Sequence, residues 1–343
     1  MNGMNGANGA NGRFDDAPSA RHAHKTHANP WVVAGLSLLL VAAMGGSCLL
    51  GAADLELDGI LQSPIFLNLR MPRVLMSVMV GAILSVCGAA YQSVFRNPLT
   101  DPYVLGVSSG ASLGAAVAIL LGMEALMWGV GGMALVTALL TVLLIYRIAS
   151  IGNRMHTTTL LLTGVCLTLL ISAMISFLMV LNQEKMDAII FWTMGSFGSS
   201  SWSDVLMLAP VTVLGIAVVL WHGRDLNLLL AGSEAARSMG VEVERVKRVL
   251  LLATTLMVAF AVSTCGVIGF VGLIVPHAVR LVTGPDNRKV VPYSMLCGAL
   301  FVLVCDTLAR YMLRPSELPV GSLTSLVGAP MFIYLLYKNK KKY

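Results

Sequence analysis

The chain has 343 residues, of which 57% are hydrophobic and only 12% are charged, with a mean hydropathy of +0.80 and a formal net charge of +6. Soluble globular domains carry about 25% charged residues, so this chain has too little polar surface to face water on all sides. A soluble globular protein, a chain disordered over its whole length and a nucleic-acid binder are excluded. The composition predicts an integral membrane protein embedded in a lipid bilayer, and the apolar stretches described below predict that it is all-α.

Residues 1–29 form a separate compositional zone, in which an Asn/Gly repeat is followed by a polar segment without apolar periodicity. Such segments cannot bury enough apolar surface to fold. We therefore predict a disordered cytoplasmic N-terminal tail ahead of a membrane domain at 30–343. His22, His24 and His27 are irregularly spaced among flexible neighbours, which does not favour a metal site.

From Trp31 onward the sequence holds ten apolar stretches separated by short polar breaks. A membrane-spanning helix needs about 20 residues to cross a hydrocarbon core of about 30 Å, so we predict ten transmembrane helices. The stretches are approximately 31–53, 74–95, 103–122, 125–146, 158–181, 205–221, 249–268, 269–283, 290–309 and 320–337. The eighth is short and contains Pro276, which predicts a half-spanning or broken helix packed inside the protein.

Lys and Arg are distributed unevenly around these stretches. With ten spans and the N-terminus inside, 18 of the 23 basic residues fall on the cytoplasmic side, in agreement with the positive-inside rule. We therefore predict a multi-pass protein of the cytoplasmic (inner) membrane with both termini cytoplasmic. The five outer cations are Arg70, Arg73, Lys185, Arg310 and Arg314.

Arg70 and Arg73 flank Pro72 at the outer end of the second stretch, and Pro72 suits the first turn of a helix because it has no N–H to lose. Two interpretations of the exposed arginines remain open: interfacial snorkelling, or docking of an acidic extracellular partner through guanidinium–carboxylate contacts. Asp306 lies within an apolar run four residues before Arg310, which predicts a structural ion pair on one helix face.

Gly106, Gly110 and Gly114 recur every fourth residue after two X-Pro steps. This spacing places them on one helix face and predicts close helix packing. The same segment contains GxSxG around Ser108, the pattern of a hydrolase nucleophile, but that pattern needs a strand–turn–helix context and a partnered base. His277 is distant in the sequence, so packing is the favoured interpretation.

Two inner segments carry polar residues. Thr157 and Thr158, at the inner end of the fifth stretch, either cap a helix or line a polar constriction, and capping is the simpler interpretation. The polar loop 224–248 contains a predicted short helix at 233–239 with its first residue as the cap and Gly240 as the stop. Such a helix either floats on the membrane interface or fits a groove on a soluble partner.

The sequence contains no P-loop of the form GxxxxGK[ST], so any ATP chemistry belongs to a partner protein. We predict no catalytic residues and no metal site. The cysteines lie within apolar runs without metal-ligand spacing and are interpreted as small packing residues: Cys48, Cys87, Cys166, Cys265, Cys297 and Cys305.

Five segments carry a family resemblance, in order and from about residue 60 to the C-terminus: LRMPR, RNPLTDPYVLGVSSGASLG, TTTLLLTGVCL, GVIGFVGLIVPHAVRL and ELPVGSLTSLVGAPMFIYLL. They resemble the FecCD-type permeases of ABC importers for vitamin B12, iron-siderophores and haem. The resemblance implies a ten-helix, vitamin B12 permease-like (type II ABC importer) fold. It also implies a second permease subunit, either a copy of this chain or a paralogue, with two cytoplasmic ATPases and an extracytoplasmic binding protein.

The resemblance implies roles for several of the singled-out residues. Arg70, Arg73 and Arg310 match permease arginines that meet acidic residues of the binding protein, with Arg310 seven residues before Glu317. Arg314 is an additional cation without a clear counterpart, which we include as a docking residue specific to this partner. The N-terminal tail departs from the family pattern.

On the inner side, the resemblance implies a cytoplasmic gate at Thr157 and Thr158 and a helical loop at 232–241 that contacts the ATPases. The translocation path would be lined largely by helices five and ten. The predicted coupling residues are Ser233, Glu234, Ala235, Ala236, Arg237, Ser238, Met239 and Gly240.

We therefore expect a transport permease rather than an enzyme, with ATP and Mg²⁺ bound by the partner ATPase and no cofactor on this chain. The expected cargo is a metal chelate; an iron-siderophore or haem is favoured on family frequency, and cobalamin is the alternative. An ion-coupled secondary transporter would depend on Asp306. An intramembrane serine hydrolase would depend on Ser108 and His277.

Overall fold

The computed structural model describes residues 28–50, 63–126, 128–151, 154–155, 157–312 and 316–339. The predicted tail therefore lies almost wholly outside the described residues. The helices are α1 (Pro30–Leu49), α2 (Met71–Val94), α3 (Val107–Leu120), α4 (Gly129–Ala149), α5 (Thr157–Leu181), α6 (Met186–Thr193), α7 (Trp202–Trp221), α8 (Gly223–Ala231), α9 (Ser233–Ser238), α10 (Val243–Cys265), α11 (Val271–Thr283), α12 (Asn287–Tyr311) and α13 (Val320–Asn339). A two-stranded antiparallel hairpin, β1 (Ser150–Ile151) and β2 (Arg154–Met155), follows α4.

Eight helices in the described part of the chain are long and apolar enough to cross a membrane, namely α1, α2 with its preceding turn, α4, α5, α7, α10, α12 and α13. The shorter apolar helices α3 and α11 occupy the third and eighth predicted positions. The all-α membrane fold is therefore confirmed, and the eight long spans with the two shorter apolar helices agree with the predicted count of ten. α11 has only 13 residues, as expected for the short eighth stretch.

The second span begins eight residues before its predicted boundary at residue 74. A π-helical turn, Phe66–Arg70, runs directly into α2, and the Met71 N–H donates to the carbonyl of Phe66. Pro72 lies in the first turn of α2, as predicted. Because Pro72 has no N–H, it cannot make the ordinary helical hydrogen bond to the preceding turn, and π-helical turns occur at such irregular positions.

α2 lies at the centre of the helix packing. In its apolar window 83% of the residues are buried, and it packs against α7, α10, α11 and α12. Gly81 lies against the backbone of Gly298 in α12, and Gly88 against that of Gly272 in α11. By contrast, only 6% of the α1 window and 17% of the α5 window are buried, so lipid or another subunit must cover these helices.

α3 packs closely on α4 through the predicted glycine face. A Cβ at Gly110 would contact Thr141, and one at Gly114 would contact Thr137, so the four-residue spacing produces the close approach that it predicts. Gly106 has a different role: it precedes α3 in the left-handed conformation (φ 69°), which glycine adopts without steric cost.

Candidate functional site

The outer end of α12 holds a carboxylate between two guanidinium groups. Asp306 is fully buried, and its Oδ2 lies 3.2 Å from Nε of Arg310, one helical turn later. The ion pair predicted from the four-residue spacing is present in the structure. A buried charge persists only when it is paired and hydrogen-bonded, and a second helix supplies the other partner of Asp306.

Arg73, in the first turn of α2, is that partner. Its Nη2 lies 2.9 Å and its Nε 3.0 Å from Asp306 Oδ1, while its Nη1 lies 2.8 Å from Glu317 Oε2. One guanidinium therefore joins α2, α12 and the segment before α13. The side chain of Glu317 is 36% exposed, whereas that of Asp306 is 0% exposed, so solvent reaches this group of charged side chains through Glu317.

Two arginines bind the end of α1 to these charged side chains. Arg310 Nη2 donates to Ser47 Oγ (2.7 Å). Arg70 Nη1 donates to the carbonyls of Cys48 (2.9 Å) and Leu49 (2.8 Å). Carbonyls at a helix C-terminus lack helical partners and carry partial negative charge, so the two guanidinium groups stabilise the last turn of α1.

The arginines are not exposed, contrary to the expectation from the sequence. Arg70, Arg73 and Arg310 are only 5, 7 and 3% exposed. The expectation of exposed outer cations is wrong for these three, because carboxylates and helix-end carbonyls of the same chain bind them. Arg314 lies outside the described residues. Docking by these residues remains a prediction.

The cluster, defined as Arg70, Arg73, Asp306, Arg310 and Glu317, adjoins the start of α13. The Leu318 N–H donates to the Ala309 carbonyl of α12 (3.2 Å). Gly321, in the first turn of α13, lies against the carbonyl of Met194, directly after α6. A shift of Glu317 would therefore act on the beginning of α13.

At the inner face, the loop predicted at 224–248 contains the two short helices α8 and α9. α9 begins at Ser233, and Gly240 (φ 84°) turns the chain after it, as predicted. The capping residue is Gly232 rather than Ser233. Gly232 has a φ of 121°, a conformation that glycine adopts far more easily than serine, so the predicted cap was one residue late.

α9 is anchored on one side and exposed on the other. Ala236 is buried, and Arg237 pairs with Glu234 (2.9 Å) and with Glu244 of α10 (3.3 Å). Met239, directly after α9, is 56% exposed. α9 is thus a fixed helical turn facing solvent, which is a suitable shape for insertion into a groove of a soluble partner.

The predicted gate residues lie at the beginning of α5. Thr157 is half-buried and Thr158 is exposed. Both are at the inner end of a helix whose apolar window is only 17% buried. This position suits a constriction between two facing subunits, and the gate role of Thr157 and Thr158 remains a prediction.

A groove between α3 and α5 is rich in hydroxyl groups. Its volume is about 390 Å³, and the Ser109 and Thr168 hydroxyls lie 3.3 Å apart across it. No histidine is among the described residues that line it, so the GxSxG serine has no base there for nucleophilic catalysis. The seven hydroxyl side chains are those of Ser108, Ser109, Ser112, Thr168, Ser172, Ser176 and Thr193.

Sequence reasoning missed two sets of contacts. It did not predict that Arg73 pairs with Asp306 and Glu317, which lie 233 and 244 residues later. The excess of cations predicted outside could have prompted a search for internal acidic partners. It also missed the hydrogen bonds that join Asn227 of α8 to Asp286 and to the Asn287 N–H, because a polar loop residue without a motif gives no signal.

Residues 35–338 match the FecCD transport family, and the chain belongs to this family of ABC importer permeases. It is therefore a multi-span transport component rather than an enzyme.

Named relatives agree with this assignment. The chain is 46% identical over 269 residues to the cobalamin import system permease protein BtuC of Halobacterium salinarum, covering 78% of this chain and 72% of that protein. It is 37% identical to the hemin transport system permease protein HmuU of Yersinia pestis, covering 90% and 95%. A solved structure of a metal-chelate type ABC transporter in an inward-facing conformation has a TM-score of 0.82 at 33% identity, covering 90% of this chain and all of that one.

Proposed function

We propose that this chain is one of two permease subunits that pass a bulky metal chelate inward across the cytoplasmic membrane, driven by ATP hydrolysis on two partner ATPases. The observation that carries the proposal is the exposed inner turn α9 on a chain that matches the importer family over residues 35–338. The chain has no P-loop, so ATP and Mg²⁺ belong to the ATPases and the mechanical input must arrive through a surface contact.

The exposed face of α5 supports a two-subunit assembly, in which the family resemblance implies that α13 also takes part. Only 17% and 33% of their apolar windows are buried within the chain. Two such surfaces facing each other would enclose a path along the molecular axis, with Thr157 and Thr158 at its inner mouth. The positive-inside rule gives each subunit cytoplasmic termini in this proposed assembly.

Transport follows as alternating access. Nucleotide binding closes the ATPases, α9 moves with them, and the paired α5 and α13 helices open toward one side of the membrane. The hydroxyl-lined groove between α3 and α5 offers polar contacts without charge. Such a wall suits conduction, because a cargo bound weakly at several places can also leave.

The outer cluster is proposed as the docking site of an extracytoplasmic binding protein. Glu317 Oε2 lies 2.8 Å from Arg73 Nη1. An acidic side chain of the binding protein would replace Glu317 as the partner of Arg73. Charge-assisted guanidinium–carboxylate contacts are short and directional, so docking at Arg73 would align the binding protein with the translocation path. It would also act on the start of α13.

We propose a metal chelate as the cargo, and the names of the relatives suggest an order of testing. The relative that is 46% identical is named for cobalamin import, and the one that is 37% identical for hemin transport. Cobalamin is therefore the first cargo to test, haem the second and iron-siderophores the third. This order differs from the expectation based on family frequency alone, which favours an iron complex.

Affinity purification in mild detergent tests the assembly. We expect a P-loop ATPase to co-purify in a one-to-one ratio with total permease, and mass spectrometry of the intact complex to give two permease subunits and two ATPases. Recovery of this chain without any ATPase, even after crosslinking at Met239, would overturn the proposal. In proteoliposomes whose ATPases face the lumen, uptake of labelled cobalamin should require ATP in the lumen.

An ion-coupled secondary transporter is the competing function. It would need Asp306 to exchange ions with the path. Asp306 is fully buried between Arg73 and Arg310, which favours a structural role. Uptake that persists when the ATPase carries an inactivated P-loop lysine would favour this alternative over the importer.

A further inference from the structure

Asn227 of α8 binds both residues at the start of α12. Its Nδ2 donates to Asp286 Oδ1 (2.6 Å), and its Oδ1 accepts from the backbone N–H of Asn287 (2.7 Å). Asp286 is also the N-cap of α12, where it accepts from the Arg288 N–H (3.0 Å). α8 is therefore tied to the first turn of α12 by two short hydrogen bonds that fix both position and direction.

Asn287 extends this contact to two further helices. Its side chain is fully buried, and its Oδ1 accepts from Ser93 Oγ in the last turn of α2 (3.1 Å) and from Arg280 Nη2 of α11 (3.4 Å). Buried polar groups that lose their partners are costly, so the inner ends of α2, α11 and α12 hold one arrangement around Asn287.

Apolar packing supports the same connection. Leu226 and Leu229 of α8 are buried, and α8 packs against both α2 and α12. A Cβ built on Gly223, the first residue of α8, would lie 3.7 Å from Arg288 Cγ and 3.9 Å from Arg288 Cα. The beginning of α8 thus lies directly against the first turn of α12.

α2 and α12 are joined at three levels across the membrane. Asn287 and Ser93 bond at the inner end, Gly81 lies against Gly298 in the middle, and Arg73 pairs with Asp306 at the outer end. The 25 residues of α12 correspond to a length of about 37 Å. A displacement of the inner end of α12 would therefore act on the outer cluster through these contacts.

We infer that Asn227 is a positioning residue that couples the ATPase-facing segment to the α2–α12 pair. The inference rests on the proposed function, since α9 must receive the motion that Asn227 passes on. α9 is separated from α8 only by Gly232 and from α10 by 239–242. Without the bonds of Asn227, the motion would reach α10 through the chain, and only the apolar packing of α8 would pass it to α12.

The test uses the complete complex with its ATPase and binding protein in proteoliposomes. Asn227→Ala should leave basal ATP hydrolysis within about twofold of wild type. It should lower cargo uptake per ATP hydrolysed, and the stimulation of hydrolysis by the binding protein, by about 2- to 30-fold. Asn182→Ala, the same chemical change at an exposed outer position, is the matched control and should change neither ratio.

A reversible covalent link separates coupling from folding. Cysteines at Gly223→Cys and Arg288→Cys, in a background without the native cysteines, should form a disulfide between α8 and α12. In the Asn227→Ala complex, oxidation after purification should restore uptake per ATP to within about twofold of wild type, and reduction should abolish the restoration. A folding defect cannot be switched by redox state in an already assembled complex.

Each outcome decides the matter. Wild-type coupling in Asn227→Ala, or no restoration after complete disulfide formation, would overturn the inference. If Asn227→Ala does not assemble, the same cysteine pair with Asn227 intact is measured: preserved uptake after oxidation supports α8 and α12 moving together, and lost uptake shows that they must separate. Failure of the wild-type chain to bind an ATPase would instead overturn the proposed function.

Discussion

At the scale of single residues, Asp306 is the carboxylate whose loss should be most damaging to the outer cluster. Asp306→Asn removes the negative charge and leaves Arg73 and Arg310 buried with too few acceptors. Breaking a buried ion pair in this way costs about 3–5 kcal/mol. We expect a decrease of that size in the free energy of unfolding, measured by thermal or chemical denaturation in detergent.

An exposed ion pair provides the control for this measurement. Lys185 Nζ lies 2.8 Å from Glu124 Oε2, with side chains 42 and 44% exposed. Because exposed pairs contribute only about 0–1 kcal/mol, Glu124→Gln should have a small effect. Equal losses in Asp306→Asn and Glu124→Gln would contradict the view that the Asp306 pairs are structurally important.

Glu317 offers a residue-level prediction about docking. Because Glu317 competes for Arg73 Nη1, Glu317→Gln should increase the affinity of the binding protein by about 1.5- to 5-fold, as expected for a partly exposed pair of about 0.2–1 kcal/mol. Titration by surface plasmon resonance at low and high salt measures this change. The increase should shrink at high salt, where exposed charges are screened.

Removing any outer negative charge could attract an acidic partner, so a second variant is needed. Glu184 is an exposed carboxylate on the same side of the membrane, in a 3₁₀ turn before α6. Glu184→Gln makes the same change in charge without contact to Arg73. If both variants bind the partner equally well, competition for Arg73 is not the cause.

The residue scale also shows what a single sequence can predict. The Asp306–Arg310 pair was predicted because residues four apart share a helix face. The pairing of Arg73 depends on helices that lie more than 200 residues apart in the chain, and neither charge nor spacing specifies which helices become neighbours. The burial of three arginines was therefore missed, although their positions along the chain were identified.

At the scale of helices, α2 and α12 approach each other through bare backbone at Gly81. A Cβ there would meet the carbonyl of Gly298, and backbone cannot move aside as a side chain can. Gly81→Ala should lower the free energy of unfolding by about 1–3 kcal/mol through overpacking, measured by denaturation in detergent.

Gly35 is the matched position for this substitution. It lies in α1, where a Cβ would find nothing within 4 Å. Gly35→Ala should therefore stay within about 0.5 kcal/mol of wild type. A loss at Gly35 as large as that at Gly81 would show that contact between α2 and α12 is not what makes Gly81 sensitive.

The hydroxyl-lined groove between α3 and α5 gives a prediction about the path. If this wall faces water, Ser172→Cys in a background without the native cysteines should react with a charged, membrane-impermeant thiol reagent in the reconstituted complex, and bound cargo should slow the reaction. Leu38→Cys in α1, at a position that is 72% exposed but faces lipid in the proposed assembly, should react far more slowly. Equal rates at both sites would remove the groove from the path.

Helix-scale prediction succeeded for long apolar runs and failed for short helices. The eight long spans follow from hydropathy because each must cross the same hydrocarbon thickness. α6 and α8 were missed, since helices of eight and nine residues are stabilised by packing rather than by a periodic pattern of their own. α9 was predicted because a glycine marks its end.

At the scale of the whole molecule, burial is concentrated around α2 and is lowest at α1 and α5. The apolar windows of these three helices are 83, 6 and 17% buried. Hydrophobicity predicted that all three lie in the membrane, but it could not distinguish a helix surrounded by protein from one facing lipid, because both are apolar all round. That distinction depends on tertiary contacts.

The separation of Arg73 from its partners also has a consequence for biosynthesis. Asp306 is 233 residues further along the chain, and at about 5–20 residues per second a ribosome needs roughly 10–50 s to reach it. During that interval Arg73 lacks both of its carboxylate partners, Asp306 and Glu317. A nascent chain that stalls before α12 would keep this charge uncompensated, and the cell's insertion and degradation machinery could recognise the unfinished protein by it.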